Sequence, residues 1–256
     1  MSLLPELIDR VLGHLSDDSE SLKALSLVSK DWTSWCQARL FKSIHLTPLA
    51  LEGWLRSVPK EVDEPASHTR TLTLEEDRHN PWINPRSLGF PLSNLASFSN
   101  VTSLSLVRWN AAYFHGASLG PYFGHFGKTL CAVSLRICRL QPVTLFDLLS
   151  LLPNVDDLEI ERLYTHAEVP DAISDIPEVT PNFCGTLSFA DLGSGDPILK
   201  AIAALPLRFS TIRIKGRIFN GLDTYQLLLD SCRDTLIALH FEESYRGTLG
   251  VYSGLL

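Results

Sequence analysis

Apolar residues at the start of the chain recur every three or four positions. They stand at Leu4, Leu7, Ile8, Val11, Leu12 and Leu15. Asp9 and Arg10 fall on the other side of a helix with this spacing. The pattern predicts an amphipathic helix, because 3.6 residues per turn bring such positions onto one face. Pro5 suits the first turn of that helix, where its missing N–H would have no partner.

Two further short helices are predicted after the first. The run SDDSE at 16–20 interrupts the first helix and offers side-chain oxygens that can cap the second, and Ser29 can cap the third. Apolar residues follow at helical spacing: Leu22, Leu25, Leu27 and Val28, then Trp32, Trp35, Cys36 and Leu40. The apolar stripe of the first helix is wider than two short neighbours can cover. We therefore expect part of it to contact a partner or the rest of the chain.

A different pattern recurs through the rest of the chain: an apolar residue, two residues, an apolar residue, one residue, and a third apolar residue. The copies are Val101/Leu104/Leu106, Leu130/Val133/Leu135, Val155/Leu158/Ile160, Cys184/Leu187/Phe189, Phe209/Ile212/Ile214, Leu236/Leu239/Phe241 and the incomplete Thr69/Leu72/Leu74. Their last positions are separated by 25 to 32 residues. Alternation across the final two positions predicts a short, half-buried strand. Recurrence at such a period is typical of a repeat architecture.

Helices are predicted between these strands. The segments 142–154, 196–206 and 220–234 place leucines and isoleucines on one side at helical spacing. Residues 47–67 contain three prolines and the string KEVDEP, which indicates a connection between modules with a short helix near Trp54. The predicted fold class is therefore α/β. It comprises a three-helix module at 1–46, a connecting segment at 47–67, and strand–helix repeats with short parallel strands at 68–256. A non-repetitive α/β domain is the alternative for the last part.

Charge and composition exclude several classes of function. The formal charge of −7 and the pI near 5.6 argue against a nucleic-acid-binding protein, which usually carries a basic stripe. The five cysteines are scattered without CxxC spacing, and the eight histidines show no HxH or HxxxH pattern, so neither a metal nor another cofactor is expected. No Ser/His/Asp or Cys/His set can be assigned without a structure. GHFGKT at 124–129 lacks the first glycine of a phosphate-binding loop.

Neither a secretory leader nor a membrane span is expected. Glu6, Asp9 and Arg10 stand inside the first apolar stretch, where a leader would be uncharged. No uninterrupted apolar stretch reaches ~18 residues. A cytoplasmic or nuclear location follows by elimination. The end of the chain, GTLGVYSGLL, is apolar where a repeat array usually has a polar cap. Three explanations are open: the chain is truncated, dimerises, or folds its tail back.

The N-terminal residues resemble an F-box. The resemblance rests on the opening Leu4-Pro5-Glu6-Leu7-Ile8, on Val11-Leu12 and Leu15, and on the close Leu27-Val28-Ser29-Lys30 followed by Trp32. It implies binding to a Skp-type adaptor, which joins an F-box protein to cullin and RING subunits. Carried over by position, the residues expected to bind the adaptor are Leu4, Pro5, Ile8, Leu12, Leu25, Val28 and Trp32. Packing among the three helices is the alternative explanation for each of them.

The repeats resemble leucine-rich repeats, which often accompany an F-box. Cys138 stands where that motif places Asn or Cys, whereas Asp77, Leu163, Leu192, Arg217 and Ser244 replace it in other copies. The resemblance implies a solenoid whose strands line a surface for a protein substrate. On that basis we expect a substrate-recognition subunit of an SCF-type (Skp–cullin–F-box) ubiquitin ligase, which is not itself an enzyme. The alternative is a protein-interaction scaffold that uses both parts only for binding.

Two of the predicted strands carry charges on the side that would face a substrate. Asp157, Glu159 and Glu161 make one copy acidic, and Arg213 and Lys215 make another basic. An acidic stripe and a basic stripe could orient a charged peptide. The alternative is that these side chains only solvate the strands.

Overall fold

A computed structural model describes residues 5–15, 18–57, 64–76, 95–110, 119–164, 184–190, 196–203, 208–215, 222–244 and 249–255. The helices are α1 (Pro5–His14), α2 (Ser19–Ser26), α3 (Lys30–Leu40), α4 (Pro48–Ser57), α5 (Glu64–Ser67), α6 (Gly120–Phe123), α7 (Pro142–Ser150), α8 (Asp196–Ala203) and α9 (Leu222–Ser231). The strands are β1 (Ser43–Leu46), β2 (Thr71–Glu75), β3 (Ser103–Val107), β4 (Ala132–Arg136), β5 (Asp157–Glu161), β6 (Cys184–Ala190), β7 (Arg208–Lys215), β8 (Ala238–Ser244) and β9 (Leu249–Leu255). A 3-10 helix spans Gly124–Lys128.

The strands form a single sheet in the order in which they occur along the chain. Strands β1 to β8 are parallel, and β9 pairs antiparallel with β8. The seven copies of the repeated apolar pattern coincide with β2 to β8, and the three segments predicted as helices contain α7, α8 and α9. The predicted α/β class with short parallel strands is therefore confirmed.

The register of the sheet places equivalent residues of the repeats side by side. The second apolar positions form one row of Cα partners and the third positions another, as in Leu104 beside Val133 and Leu106 beside Leu135. Side chains in these rows are largely buried, and they pack with apolar side chains of the helices in one core. The residues between the rows are half-buried or exposed. Among the described residues, helices thus pack on one face of the sheet, and the alternate side chains lie on the opposite face, which we call the open face.

A tight turn repeats at the carboxyl ends of β3, β4 and β5. The residues after these strands, Arg108, Ile137 and Arg162, each have φ between 52° and 59°, a backbone conformation that residues other than glycine rarely adopt. Each donates its backbone N–H to a carbonyl at the end of the following strand, at 2.8 to 3.1 Å. The turn buries the next side chain, as at Trp109 and Cys138.

Trp109 and Cys138 use their polar atoms in the same way. The Trp109 indole Nε1–H donates to the Leu74 carbonyl at 3.1 Å. The Cys138 Sγ–H donates to the Leu106 carbonyl at 3.2 Å. Each acceptor is the last apolar position of the preceding strand. Each of these buried side chains therefore gives its own polar atom a hydrogen-bond partner.

The three N-terminal helices have a hydrophobic cluster of their own. It is built from Ile8, Leu12, Leu22 and Cys36, and we call it the helical cluster. It is separate from the core of the sheet. Asp18 caps α2 through the backbone N–H of Ser21, and hydrogen bonds from Ser21 lower the pKa of Asp18. The predicted cap at Ser29 is confirmed, because its hydroxyl accepts from the Trp32 N–H at 3.4 Å.

The first and last strands lie outside the seven predicted copies. β1 pairs with β2 at the edge of the sheet and follows shortly after α3 in the chain. β9 lies along β8 from Leu249 to Leu255, so the apolar tail does fold back onto the sheet. Within the described segments, no helix has both the length and the apolar character needed to cross a membrane.

Candidate functional site

The N-terminal helices expose several apolar side chains. They are Leu7 and Val11 on α1, Leu27 and Val28 after α2, and Trp35 on α3, and together we call them the helical patch. Leu27 is 87% exposed and Val28 68% exposed, so neither is used in the cluster beneath. Leu7 and Val11 are nearly half exposed on α1. The expectation that the apolar stripe of α1 is wider than its neighbours can cover is therefore confirmed.

The residues expected to bind an adaptor divide into several groups. Leu4 lies outside the described residues, and Pro5 begins α1 without a described side chain. Ile8 and Leu12 are buried inside the helical cluster. Their burial favours the packing explanation, because neither side chain presents an accessible surface in this arrangement.

Leu25, Val28 and Trp32 differ from that buried pair. Leu25 and Trp32 are half-buried and pack against the helical cluster, while Val28 is exposed. Val28 lies between α2 and α3, which are linked by the Thr33 hydroxyl donating to the Ser26 carbonyl at 2.6 Å. It is therefore accessible on a locally fixed backbone. Leu27 and Trp35 are accessible as well, although the family resemblance does not single them out.

An ion pair joins the first and third helices across the cluster. The Arg39 guanidinium of α3 donates to the Asp9 carboxylate of α1. Asp9 lies on the polar side of α1, as the sequence pattern predicts. The pair therefore links α1 to α3 at the surface of the helical module.

The open face of the sheet is lined mainly by small polar side chains. One continuous row of Cα partners contains His45, Thr73, Ser105, Ser134, Glu159, Ser188, Arg213 and His240. Two of these residues, Glu159 and Arg213, bear opposite charges with Ser188 between them. The structure thus brings the predicted acidic and basic strands within one intervening strand of each other.

Charges at the carboxyl ends of the strands are neutralised by lateral pairs. The Arg136 Nε donates to Glu161 Oε2 at 2.9 Å, and this contact raises the pKa of Arg136. The Lys215 Nζ lies 3.2 Å from Glu242 Oε2. Glu161 and Lys215 therefore already have partners, on the sides of their strands that face away from β6.

Asp157, Glu159 and Arg213 are arranged differently. All three are exposed, and among the described residues none makes an ion pair. Glu159 accepts a hydrogen bond from the Ser134 hydroxyl at 2.7 Å, and the charge of Arg136 acts on it at longer range. Among the described side chains of β5 and β7, these three charged residues make no ion pair and remain available to a ligand.

One buried carboxyl group lies at the carboxyl end of β2. Glu76 is only 8% exposed, and its Oε2 accepts the Asn110 backbone N–H at 2.8 Å. Burial raises the pKa of Glu76 to about 7, although the hydrogen bond from Asn110 lowers it. Burial likewise raises the pKa of the nearby Cys138 thiol to about 12. A thiol so hard to ionise is a poor nucleophile, which fits a structural role for Cys138.

In the part of the chain that the structure describes, no group of three or more His, Cys, Asp or Glu side chains could hold a metal ion. No protein-family model matches the sequence, and no curated protein matches it significantly. The F-box and leucine-rich-repeat resemblances therefore rest on the residues named above.

Proposed function

We propose that this chain is a non-catalytic, substrate-recruiting subunit of an SCF-type ubiquitin ligase. In this proposal the N-terminal helices are an F-box that binds a Skp-type adaptor and, through it, cullin and RING subunits. The strand–helix repeats are a leucine-rich-repeat-like solenoid that binds a protein substrate. The observation that carries the proposal is the helical patch, which lies on a small module with its own hydrophobic cluster.

The helical patch is what a docking module requires. A three-helix unit is too small to bury all of its apolar side chains internally. Leu27 and Val28 are adjacent and far more exposed than the residues of the cluster. Burying such side chains contributes about 1.5–3 kcal/mol each before the cost of association is subtracted, so they supply part of the binding free energy. A Skp-type adaptor is the partner that the residue pattern of this segment implies.

The repeats supply support for the second half of the proposal. Consecutive parallel strands in sequence order, with apolar rows in register, are the arrangement that stacked repeats produce. Cys138 bonds the carbonyl of the preceding strand, the contact that a buried polar residue at this motif position can supply. The open face carries the charges of β5 and β7, where a substrate can bind.

Such a subunit works by proximity. It holds a substrate lysine near a ubiquitin-charged enzyme bound elsewhere in the complex, which raises the effective concentration of the reacting groups. Ubiquitin transfer itself then belongs to the other subunits. A cytoplasmic or nuclear location is part of the proposal, because that ligase machinery and reduced thiols are found there. The described Cys36, Cys131, Cys138 and Cys232 are free, which is compatible with a reducing compartment.

The test is a pull-down from eukaryotic cytosol with matched variants. Val28→Asp places a charge in the helical patch, and Ile237→Asp places the same charge on a β-branched residue of similar exposure far along the chain. We expect the wild type and Ile237→Asp to retain a Skp-type adaptor together with a cullin, and Val28→Asp to lose both. Failure of the wild type to retain the adaptor overturns the proposal. Retention of the adaptor without cullin would favour the scaffold alternative.

A further inference from the structure

Strand β6 runs between the acidic and the basic strand on the open face. In register, its small side chains Thr186, Ser188 and Ala190 lie between Asp157, Glu159 and Glu161 of β5 and Thr211, Arg213 and Lys215 of β7. Neighbouring strands are about 4.8 Å apart, so the backbones of β5 and β7 are separated by about 10 Å. We call this feature the β6 furrow: a floor of small side chains with an acidic wall on β5 and a basic wall on β7.

The two walls differ in how much charge they offer to a ligand. Glu161 is paired with Arg136, and Lys215 with Glu242. Both pairs point away from the floor, because β4 and β8 are the outer neighbours of β5 and β7. Asp157 and Glu159 on one wall and Arg213 on the other make no described ion pair, although the charge of Arg136 also acts on Glu159 at longer range. The β6 furrow is therefore a place where opposite charges face each other across small side chains without neutralising each other directly.

The spacing along each wall matches that of an extended polypeptide. Wall residues are two positions apart on a strand, which is about 6.6 Å. An extended peptide lying over β6 turns alternate side chains toward opposite walls with the same two-residue period. Its basic side chains can reach Asp157 and Glu159 while the acidic ones between them reach Arg213. The small floor at Ser188 leaves room for the peptide backbone.

We propose that the β6 furrow binds an extended polypeptide segment of alternating basic and acidic residues, with its basic side chains toward β5 and its acidic side chains toward β7. The interpretation of this binding as substrate recruitment rests on the proposed function. The proposal adds the class of polypeptide segment that is recruited. Selection comes from the position of the charges, since the peptide as a whole carries no net charge.

The probes are four capped, fluorescein-labelled hexapeptides, measured by fluorescence anisotropy. The alternating peptide is KEKEKE, and the block peptide KKKEEE has the same composition. The basic peptide KSKSKS and the acidic peptide ESESES carry one sign only. Measurements start at about 0.01 M ionic strength, where the Debye length is about 30 Å, and are repeated at about 0.15 M. We expect the alternating peptide to bind at least about fivefold more tightly than the block peptide, since each exposed pair contributes a factor of about 1.4 to 5.

Charge reversal in the walls provides the specificity test. Arg213→Glu makes both walls acidic, so preference should move from the alternating peptide to the basic peptide. Glu159→Lys should move it toward the acidic peptide. Arg139→Glu is the matched control, because Arg139 is exposed outside the β6 furrow and undergoes the same change of charge. All three side chains are exposed, so the variants should fold, which circular dichroism will check.

Each outcome decides the proposal. Equal binding of the alternating and block peptides overturns it, as does preference of the wild type for either single-sign peptide. It also fails if no peptide shows saturable binding below about 1 mM, or if Arg139→Glu shifts the preference as far as Arg213→Glu does. Peptide binding needs no adaptor. If the protein fails to capture the adaptor but still selects the alternating peptide, only the proposed ligase role is refuted. If it captures the adaptor but does not select the peptide, only the proposed binding at the β6 furrow is refuted.

Discussion

The buried carboxyl of Glu76 makes stability depend on pH in an unusual direction. Its pKa is raised from 4.5 to about 7 because the side chain is 8% exposed at the end of β2. The folded protein thus holds this proton more tightly than the unfolded chain does. Stability from this group is fully present below pH 4.5 and is lost as the pH rises toward about 7. Paired surface carboxylates show the opposite trend.

The size of the effect follows from the shift. A difference of about 2.5 pKa units corresponds to about 3 kcal/mol of unfolding free energy, since one unit is about 1.4 kcal/mol. Glu76→Gln removes the titration and keeps an oxygen that can accept the Asn110 N–H. We expect the variant to equal the wild type near pH 4 and to exceed its stability by about 3 kcal/mol near pH 8.

The assay is urea denaturation of both proteins across that pH range. Other groups titrate as well, but they are common to both proteins, so the difference between the curves isolates Glu76. Glu20→Gln is the control: its carboxylate is 82% exposed and pairs only with Lys23 on the surface of α2. The reasoning is refuted if the difference between Glu76→Gln and wild type is flat with pH, or if the wild type becomes the more stable protein as pH rises.

Three further substitutions test the packing, each by urea denaturation at neutral pH. Leu12→Ala should cost about 2–5 kcal/mol by leaving a cavity in the helical cluster, and a loss below about 1 kcal/mol would show that Leu12 is not buried there. Gly185→Ala should lower the free energy of unfolding by about 2 kcal/mol or more, because φ is +110° and the added Cβ would meet the Asp156 carbonyl. An unchanged free energy of unfolding would contradict the backbone conformation at Gly185. Trp109→Phe should lower the free energy of unfolding by about 1–3 kcal/mol, because the Leu74 carbonyl loses its indole donor. An unchanged free energy of unfolding would show that this hydrogen bond does not stabilise the fold.

Most of the sheet can be predicted because each repeat carries the pattern of its own strand locally. Leu104 and Leu106 show the alternation of β3 without reference to any other strand. The end strands escape prediction for different reasons. β1 shows alternating apolar positions at Ile44 and Leu46. It directly follows the third predicted helix, so the sequence pattern assigns it to the N-terminal module and not to the sheet. β9 depends on antiparallel pairing with β8, and no local pattern specifies that pairing.

The candidate surfaces are only partly predictable. The stripe on α1 shows which side is apolar, but not that Leu12 faces its own cluster while Val11 remains exposed. The acidic and basic strands are evident in the sequence, yet the pairing of Arg136 with Glu161 depends on the register of β4 and β5. Cys138 is recognisable by its motif position. Trp109 has the same role one repeat earlier through a different donor atom, which no residue pattern indicates.

Reconstitution with purified ligase subunits tests the central claim most directly. The chain would be mixed with a Skp-type adaptor and a cullin–RING pair, and complexes would be separated by size-exclusion chromatography. The account predicts co-elution of the wild type with all of these subunits, loss of the complex with Val28→Asp, and its retention with Ile237→Asp. Separate elution of the wild type from the adaptor would contradict the account.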